Sequence, residues 1–312
     1  MKIIDLKHPD REFILSDCAL CLGNFDGVHR GHRALIEEMK KKNAERENRL
    51  PMGALLFSAP PSSFLLSSQI PQLTTLDEKL ELLREAGLHF VILYDFETLK
   101  DLSPDEFVQH ILIGQCNCRL AICGFNYTYG SKGSGNVDTL SKTFGSQPGR
   151  TLSVVPAVMD GRHCVSSSVI RTMLEQGHPE DAARLLGRPF FLTGTVIDGR
   201  HVGTGMGFPT ANLSFPEGGL IPAHGVYLSM IRIARRTYAG ISNVGTRPTF
   251  DDGDTVNCET YLFDYNGDLY GKTLRVSFLR FLRAEKQFAS MEALKEQIRL
   301  DIARAKDYLW KY

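Results

Sequence analysis

The sequence has no excess of charge of either sign and no long apolar run. Among its 312 residues, 36 are basic and 36 are acidic, so the formal net charge is zero. A neutral chain has no broad field that would attract nucleic acid or an anionic membrane surface, so we expect neither as a partner. No apolar run reaches the roughly 18 residues of a membrane span. Asp5 stands where a secretion signal would continue its apolar stretch, which predicts a cytoplasmic protein.

Cysteine is sparse and scattered. Seven cysteines are an odd number in a long chain, which argues against a disulfide framework. Cys18 and Cys21 have C-x-x-C spacing, but they stand in an apolar run without a second pair or a histidine partner. Core packing is therefore the favoured interpretation of both, over a zinc site or redox chemistry.

The length predicts two domains, since a domain usually has about 150 residues. Through residue 187, short β-rich runs alternate with helical patterns, which indicates a parallel sheet with crossover helices in a Rossmann-like α/β domain. The predicted strands are Ala19–Gly23, Gly53–Phe57, Phe90–Tyr94, Leu120–Gly124 and Leu152–Pro156.

Helix start and stop signals complete this half of the chain. Capping boxes predict helices that begin after Thr75 and at Ser103. Near the end of the half, a helix capped by Ser167 or Ser168 stops at Gly177, and another runs from Pro179 to Gly187. We therefore predict domains at residues 1–187 and 188–312.

Beyond Gly187 the pattern changes to strands separated by turns, which predicts a small antiparallel β-barrel. Asn266-Gly267 is a strong signal for a tight hairpin turn. Apolar residues at helical spacing between Met291 and Leu309 predict a terminal helix that packs on the barrel. The predicted strands are Phe191–Ile197, Val226–Ile233, Tyr238–Asn243, Asn257–Phe263 and Leu274–Phe281.

The segment Leu22–His32 carries the first chemical pattern. It leaves the first strand, passes through glycines and opens a helix, at the sheet edge where α/β folds bind ligands. Free amides and the helix dipole favour an anion there. His29 and His32 are three residues apart and can donate hydrogen bonds to a phosphoryl group as its charge increases. The alternative is that both are ordinary surface residues of a helix start.

The segment Gly203–Asn212 carries the second pattern. No Walker A sequence occurs in the chain, so a nucleotide site here must be of another kind. Glycine-dense backbone can form an anion nest, and Thr210 and Asn212 offer the side-chain oxygens that Mg²⁺ prefers. Glu259 lies in a predicted strand of alternating polar and apolar residues. The simplest interpretation is that it faces solvent.

These motifs resemble one known family. Gly23–His32 resembles the His-x-Gly-His signature of the nucleotidyltransferases and, more narrowly, the prokaryotic bifunctional riboflavin kinase/FMN adenylyltransferases, or FAD synthetases. Gly203–Asn212 is similar to the Gly-Phe-Pro-Thr-Ala-Asn motif of flavokinases. The resemblance covers essentially the whole chain and continues through Leu73–Lys79, Gly124–Gly130 and Ser166–Arg171.

The resemblance implies that the first domain transfers AMP from ATP to FMN, which gives FAD and pyrophosphate. His29, His32 and Arg171 would be its catalytic residues. ATP would contact Gly23, Asn24, Phe25, His29, His32, Ser167, Ser168 and Arg171. FMN would contact Asp26, Phe125, Asn126 and Tyr127.

The resemblance further implies that the second domain phosphorylates riboflavin with ATP. Glu259 would be the catalytic base, Thr210 and Asn212 would hold Mg²⁺, and Glu259 and Arg283 would contact the flavin. The ATP contacts would be Gly205, Gly207, Pro209, Thr210 and Asn212. The expected partners are thus small molecules, and we expect a monomer.

Some positions differ from the common family pattern. Pro60 replaces a histidine, Asn126 and Thr128 replace an aspartate and an arginine, and Thr204 replaces another arginine. These changes leave open a flavin-binding regulatory protein, or a kinase-only protein whose adenylyltransferase domain has lost its activity. A cytidylyltransferase with an accessory barrel would fit the first half of the chain alone.

Overall fold

The computed structural model describes residues 1–6, 16–58, 70–197, 210–247 and 255–310. Its contacts divide the chain into two compact units, Met1–Ser167 and Ser168–Tyr312. This division falls before the two helices that the sequence pattern assigns to the end of the first domain. The domain boundary at Gly187 stays a prediction. Within the described ranges, no helix combines the length and the apolar character that a membrane span requires.

The first unit contains a six-stranded parallel sheet, as predicted, with strand order β1-β4-β3-β2-β5-β6. Both β2 and β4 are buried at every position, which is typical of a parallel sheet covered on both faces. The edge strand β1 was not predicted, because four residues with a single buried side chain carry almost no periodic signal. The strands are β1 (Lys2–Asp5), β2 (Cys18–Leu22), β3 (Met52–Phe57), β4 (Phe90–Tyr94), β5 (Cys118–Gly124) and β6 (Thr151–Val155); a short hairpin follows, β7 (Met159–Asp160) and β8 (His163–Cys164).

The helices of this unit begin where their capping residues predict. Thr75 and Ser103 both form complete capping boxes, which confirms these two helix starts. The helix after Ser103 continues as a π-helical segment, Phe107–Gln115. The α-helices are α1 (Arg30–Ala44), α2 (Leu76–Glu85), α3 (Phe96–Leu99), α4 (Pro104–Glu106) and α5 (Val137–Leu140).

The C-x-x-C pair lies in the core. Cys18 and Cys21 are buried in β2, and neither forms a disulfide. The prediction that both cysteines pack in the core is therefore confirmed.

Two helices follow at the division: α6 (Ser167–Glu175), whose first residue is the last of the first unit, and α7 (Pro179–Leu186). Gly187 follows with φ of 72°, the left-handed conformation expected of a glycine that ends a helix. α7 matches its predicted limits, whereas α6 already includes Ser167 and Ser168, the two residues predicted to cap it.

The rest of the second unit is a curled antiparallel sheet of six strands, in the order β10-β13-β12-β11-β14-β9. A bridge between Ile197 and Asn212 joins its two outer edges, so the sheet closes as a barrel, as predicted. The terminal helix α8 (Met291–Leu309) packs its apolar side chains on the outer face of β11, β12 and β14. The strands are β9 (Phe190–Thr195), β10 (Thr210–Ser214), β11 (Gly225–Ile233), β12 (Arg236–Arg247), β13 (Thr255–Leu262) and β14 (Thr273–Ala284).

The predicted tight turn at Asn266-Gly267 is wrong. A two-residue turn of that type needs positive φ at both central residues, and neither residue has it. Asp264 takes the left-handed conformation instead, with φ of 56°. The strands on either side, β13 and β14, pair with other strands and not with each other.

Candidate active sites

The loop that joins β2 to α1 has an unusual backbone. Phe25, Gly27 and Val28 have φ values of 54°, 77° and 41°, all in the left-handed region. Only glycine adopts that region freely, and for a β-branched residue such as Val28 it costs about 1–3 kcal/mol. Such a loop persists only where its surroundings impose it.

Asp26 provides much of that constraint. Its side chain is 1% exposed, and Oδ1 accepts hydrogen bonds from the backbone amides of Leu73 at 2.9 Å and Thr74 at 3.3 Å. The Ser167 hydroxyl donates to the backbone carbonyl of Asp26 at 2.9 Å. These contacts give the carboxylate a scaffold role. The flavin contact expected of Asp26 stays a prediction.

His29 and His32 lie side by side at the start of α1. Their rings are stacked, with centroids 3.7 Å apart and an interplanar angle of 17°. Nδ1 of His29 caps the helix by accepting the backbone N–H of His32 at 3.3 Å. An acceptor at Nδ1 places the proton of a neutral imidazole on Nε2. His29 can therefore donate one hydrogen bond from Nε2 without becoming charged.

His32 is held in its neutral form. Burial is the main cause that lowers its pKa well below the usual value, and the nearby His29 and Lys79 lower it further. Within the described part of the chain, its buried Nδ1 has no hydrogen-bond partner. Phe25 packs against this ring, with centroids 4.9 Å apart. The pair is thus suited to hydrogen bonding with a phosphate rather than to carrying charge.

A cavity of about 770 Å³ opens beside these histidines within the first unit. Ligand pockets usually have about 300–1,000 Å³, so a nucleotide-sized molecule fits. The lining includes most of the residues predicted to contact ATP: Gly23, Asn24, His29, His32 and Ser167. Phe25, by contrast, is completely buried and does not belong to the lining.

The rest of the cavity lining is rich in aromatic rings, including three that no predicted site contained: Phe57, Phe96 and Phe107. The predicted flavin contacts Phe125, Asn126 and Tyr127 all line it as well. Phe125 is 50% exposed, which is unusual for a large apolar ring. Tyr127 and Tyr129 stack with centroids 5.8 Å apart. Such a wall suits a flat aromatic ligand.

Two of the residues predicted for ATP, Ser168 and Arg171, belong to the second unit. Their roles in adenylyl transfer stay predictions.

The candidate kinase residues lie in one row across the barrel. Asn212 on β10 pairs with Glu259 on β13, and Glu259 pairs with Asn243 on β12. The row continues through Val226 on β11 to Arg283 on β14. Directly opposite residues in an antiparallel sheet point to the same face, with Cβ atoms about 4.5–5.5 Å apart. Asn212, Glu259 and Arg283, chosen from separate motifs, therefore share one face.

The members of this row differ in exposure. Glu259 is exposed, whereas Asn212 is 5% exposed, and its Oδ1 accepts a hydrogen bond from Asn257 at 3.2 Å. Asn243 was predicted to end a strand, whereas residues 243–247 continue β12. Sequence alone did not identify the Asn243 side chain as a candidate, because only the register of β12 against β13 places it beside Glu259.

Arg283 is engaged with the terminal helix. Its guanidinium donates to both oxygens of Asp301, at 3.0 Å from Nε and 2.8 Å from Nη2. Gln297 donates to the same carboxylate at 3.0 Å. Arg283 thus connects α8 to the end of the row, and the flavin contact proposed for it is not tested by these bonds.

Several predicted contacts lie outside the described residues. These are Gly205, Gly207 and Pro209 of the glycine-rich segment. Pro60 and Thr204, two of the positions that differ from the family pattern, lie outside the described residues as well.

The first unit combines a parallel sheet with a histidine pair at a helix start. The barrel that follows carries an amide and a carboxylate in one row. Together these features define a two-domain enzyme of the nucleotidyltransferase class. The FAD synthetase family model matches residues 12–169, and the riboflavin kinase model matches residues 186–309. The chain belongs to the family of bifunctional riboflavin kinase/FMN adenylyltransferases.

Relatives match over nearly their full length. The bifunctional riboflavin kinase/FMN adenylyltransferase of Bacillus subtilis is 33% identical over 99% of this chain and 98% of its own. The protein of the same name from Escherichia coli K12 is 32% identical over the same shares. A crystal structure described as a macrolide-efflux protein from Streptococcus pneumoniae has a TM-score of 0.87 at 29% identity and covers 98% of this chain and 99% of its own.

Proposed function

We propose that this chain makes FAD from riboflavin in two ATP-dependent steps at two separate sites. The second unit phosphorylates riboflavin to FMN, and the first unit transfers AMP from a second ATP to FMN and releases pyrophosphate. The observation that carries this proposal is the presence, in one chain, of the cavity beside His29 and His32 and of the Asn212–Glu259 row on the barrel.

In the kinase step, Glu259 acts as the general base. The primary hydroxyl of the ribityl chain transfers its proton to the Glu259 carboxylate as its oxygen attacks the γ-phosphorus of ATP, and ADP leaves. The carboxylate is exposed, so a substrate can reach it. A positioned base of this kind typically contributes about 10²–10⁴ in rate.

Thr210 and Asn212 are the residues that would hold Mg²⁺ in the kinase site. The donor set fits the ion, because an amide and a hydroxyl oxygen lie two residues apart on one strand, with the Glu259 carboxylate opposite Asn212. Bound Mg²⁺ would neutralise charge on the ATP phosphates. The backbone of Gly205, Gly207 and Pro209 would contact the same nucleotide.

In the adenylyl-transfer step, a phosphate oxygen of FMN attacks the α-phosphorus of ATP, and pyrophosphate leaves. The attacking phosphate is already deprotonated, so no general base is required. His29 and His32 instead donate hydrogen bonds to the phosphoryl oxygens as negative charge increases in the transition state. Ser167, Ser168 and Arg171 would bind the remaining phosphate oxygens.

The aromatic part of the same cavity would bind the flavin. Phe125 and Tyr127 offer ring faces to the isoalloxazine, and Asn126 offers an amide for its polar edge. The replaced residues Asn126 and Thr128 leave these two lining positions without charge, which is the observation that keeps a kinase-only protein as the second candidate.

One incubation separates the two candidates. The purified chain is mixed with riboflavin, ATP and Mg²⁺, and the flavins are resolved by chromatography. FAD supports the two-step enzyme, whereas FMN alone would support the kinase-only protein. We further propose that the chain works as a monomer in the cytoplasm on these small molecules and does not bind nucleic acid, in keeping with its zero net charge.

A further inference from the structure

Lys79, on α2, is buried although it carries an ionisable amine. Its residue surface is 6% exposed, and Nζ donates a hydrogen bond to the backbone carbonyl of Asn24 at 3.0 Å. Burying an ammonium group is costly unless other groups compensate it. Burial lowers the pKa of Lys79, and the nearby carboxylate of Asp26 partly opposes this. The folding of α2 does not require a charged residue at this position. The cost of burying the amine therefore points to another role for Lys79.

The contact that Lys79 makes is with the candidate site. Asn24 lines the cavity beside His29 and His32, and it immediately precedes the strained backbone at Phe25. Asp26 is bonded to Leu73 and Thr74, just before α2 begins. The Gly27 amide also donates to the Thr74 hydroxyl at 3.0 Å, so the loop is held from the α2 side both before and after Phe25.

We infer that Lys79 is a positioning residue for adenylyl transfer: its ammonium group fixes the Asn24 carbonyl and, with it, the loop that delivers His29 and His32 to the cavity. This inference rests on the proposed adenylyltransferase function. It adds a residue that lies behind the cavity wall and that no motif of the loop itself contains.

The charge of Lys79 also acts on His32. The titratable groups that bear on His32 are His29 from its own turn and Lys79 from α2, whereas Asp26 acts on Lys79. A positive charge nearby disfavours a second one, so Lys79 helps to keep His32 neutral. Removing the charge should make His32 easier to protonate, and its titration midpoint should move to higher pH.

Three substitutions separate the hydrogen bond, the charge and the packing. Lys79→Met keeps the side-chain length but removes both the donor and the charge. Lys79→Gln keeps a donor without charge, and Lys79→Arg keeps both. Lys42, a partly exposed lysine near the end of α1 that pairs with Glu45, provides the matched control as Lys42→Met.

The first readout is conversion of supplied FMN to FAD. We expect kcat/KM to fall at least tenfold in Lys79→Met, mainly through kcat, because the histidines stabilise the transition state more than the bound substrates. Lys79→Gln should be intermediate, Lys79→Arg should recover most of the activity, and Lys42→Met should match the unmodified chain.

The second readout is the titration of the His32 imidazole by NMR. Its midpoint should rise in Lys79→Met and Lys79→Gln and stay in place in Lys79→Arg. A side chain that merely filled space would not produce this dependence on charge.

Folding of the first unit must be followed separately. The single tryptophan, Trp310, lies in the second unit, so its fluorescence does not report on the first. Hydrogen exchange of the β2 and β5 amides does. If Lys79→Met formed FAD at the rate of the unmodified chain, the inference would be overturned. Loss of β2 and β5 protection in all three variants would overturn it as well. If the unmodified chain forms no FAD, the proposed function fails instead, and the His32 titration still tests the effect of Lys79.

Discussion

Asn212 and Glu259 stand directly opposite each other on the antiparallel strands β10 and β13. The two side chains therefore share a face of the sheet, where one amide suited to Mg²⁺ lies beside one exposed carboxylate. Glu259 also faces Asn243 on its other side. A candidate base is thus set between two amides, and none of the three lies near another in the sequence.

His29 has two separable roles, as a helix cap and as a hydrogen-bond donor to phosphate. His29→Ser replaces the accepting Nδ1 with a hydroxyl oxygen that can still cap the helix, whereas His29→Ala leaves no side-chain acceptor. We expect both variants to lose about 10² in the rate of FAD formation from FMN. Only the alanine variant should also lose stability of the first unit, by about 1 kcal/mol.

Urea unfolding, followed by hydrogen exchange of β2 and β5, measures that stability. If His29→Ser retained full activity, the imidazole would have no part in the reaction.

Asp26 should behave as a scaffold residue. Asp26→Ala leaves the backbone amides of Leu73 and Thr74 buried without an acceptor, and each such loss costs about 1–3 kcal/mol. We expect the first unit to be destabilised by about 2–6 kcal/mol, and Asp26→Asn, which keeps Oδ1, to cost less.

The same unfolding experiment checks this. A rise in KM for FMN without loss of stability would instead support the flavin contact that the family resemblance implies.

Arg283 and Asp301 form a pair that connects β14 to α8. Asp301 is 4% exposed, so Arg283→Met would leave a buried carboxylate uncompensated, at a cost of about 3–5 kcal/mol. The double variant Arg283→Met with Asp301→Leu should recover most of that loss, because it removes both charges.

Hydrogen exchange of the β14 and α8 amides reports this unfolding, since Trp310 is 89% exposed and its fluorescence would change little. Additive losses in the double variant would show that the two residues do not interact.

Cys164 should be the first cysteine to react with iodoacetamide. It is half-buried and lines the cavity of the first unit, whereas the other six cysteines are buried. Burial also raises the pKa of Cys123 to about 11 and that of Cys116 and Cys258 to about 12, so few of these thiols are reactive thiolates at pH 8.

We expect one modified cysteine per chain, with loss of FAD formation that ATP or FMN slows. Mass spectrometry identifies the residue. Cys164→Ser is the control and should keep both its activity and its six unmodified thiols; rapid labelling elsewhere would contradict the burial described here.

Local signals predicted much of this fold because each acts within a few residues. The capping boxes at Thr75 and Ser103 need only a side chain and an amide three positions away, and both form. The tight turn at Asn266-Gly267 failed because the pairing partners of β13 and β14 lie elsewhere in the chain. Sequence patterns carry no information about such long-range pairing.

The site shows the same limit. His29 and His32 could be found from their spacing, since three residues is nearly one helical turn. The contacts of Lys79 with Asn24 and of Asp26 with Leu73 join segments about 50 residues apart. No spacing rule reaches that far, so the support behind the loop became visible only in the structure.

The measurement that tests the two-site account most directly uses Glu259→Gln with two different substrates. Supplied with riboflavin and ATP, this variant should form FMN about 10²–10⁴ times more slowly than the unmodified chain. Supplied with FMN and ATP, it should form FAD at the unmodified rate, because Glu259 lies on the barrel and the adenylyl-transfer cavity lies in the first unit. Equal loss of both conversions, or no loss of the first, would contradict the account.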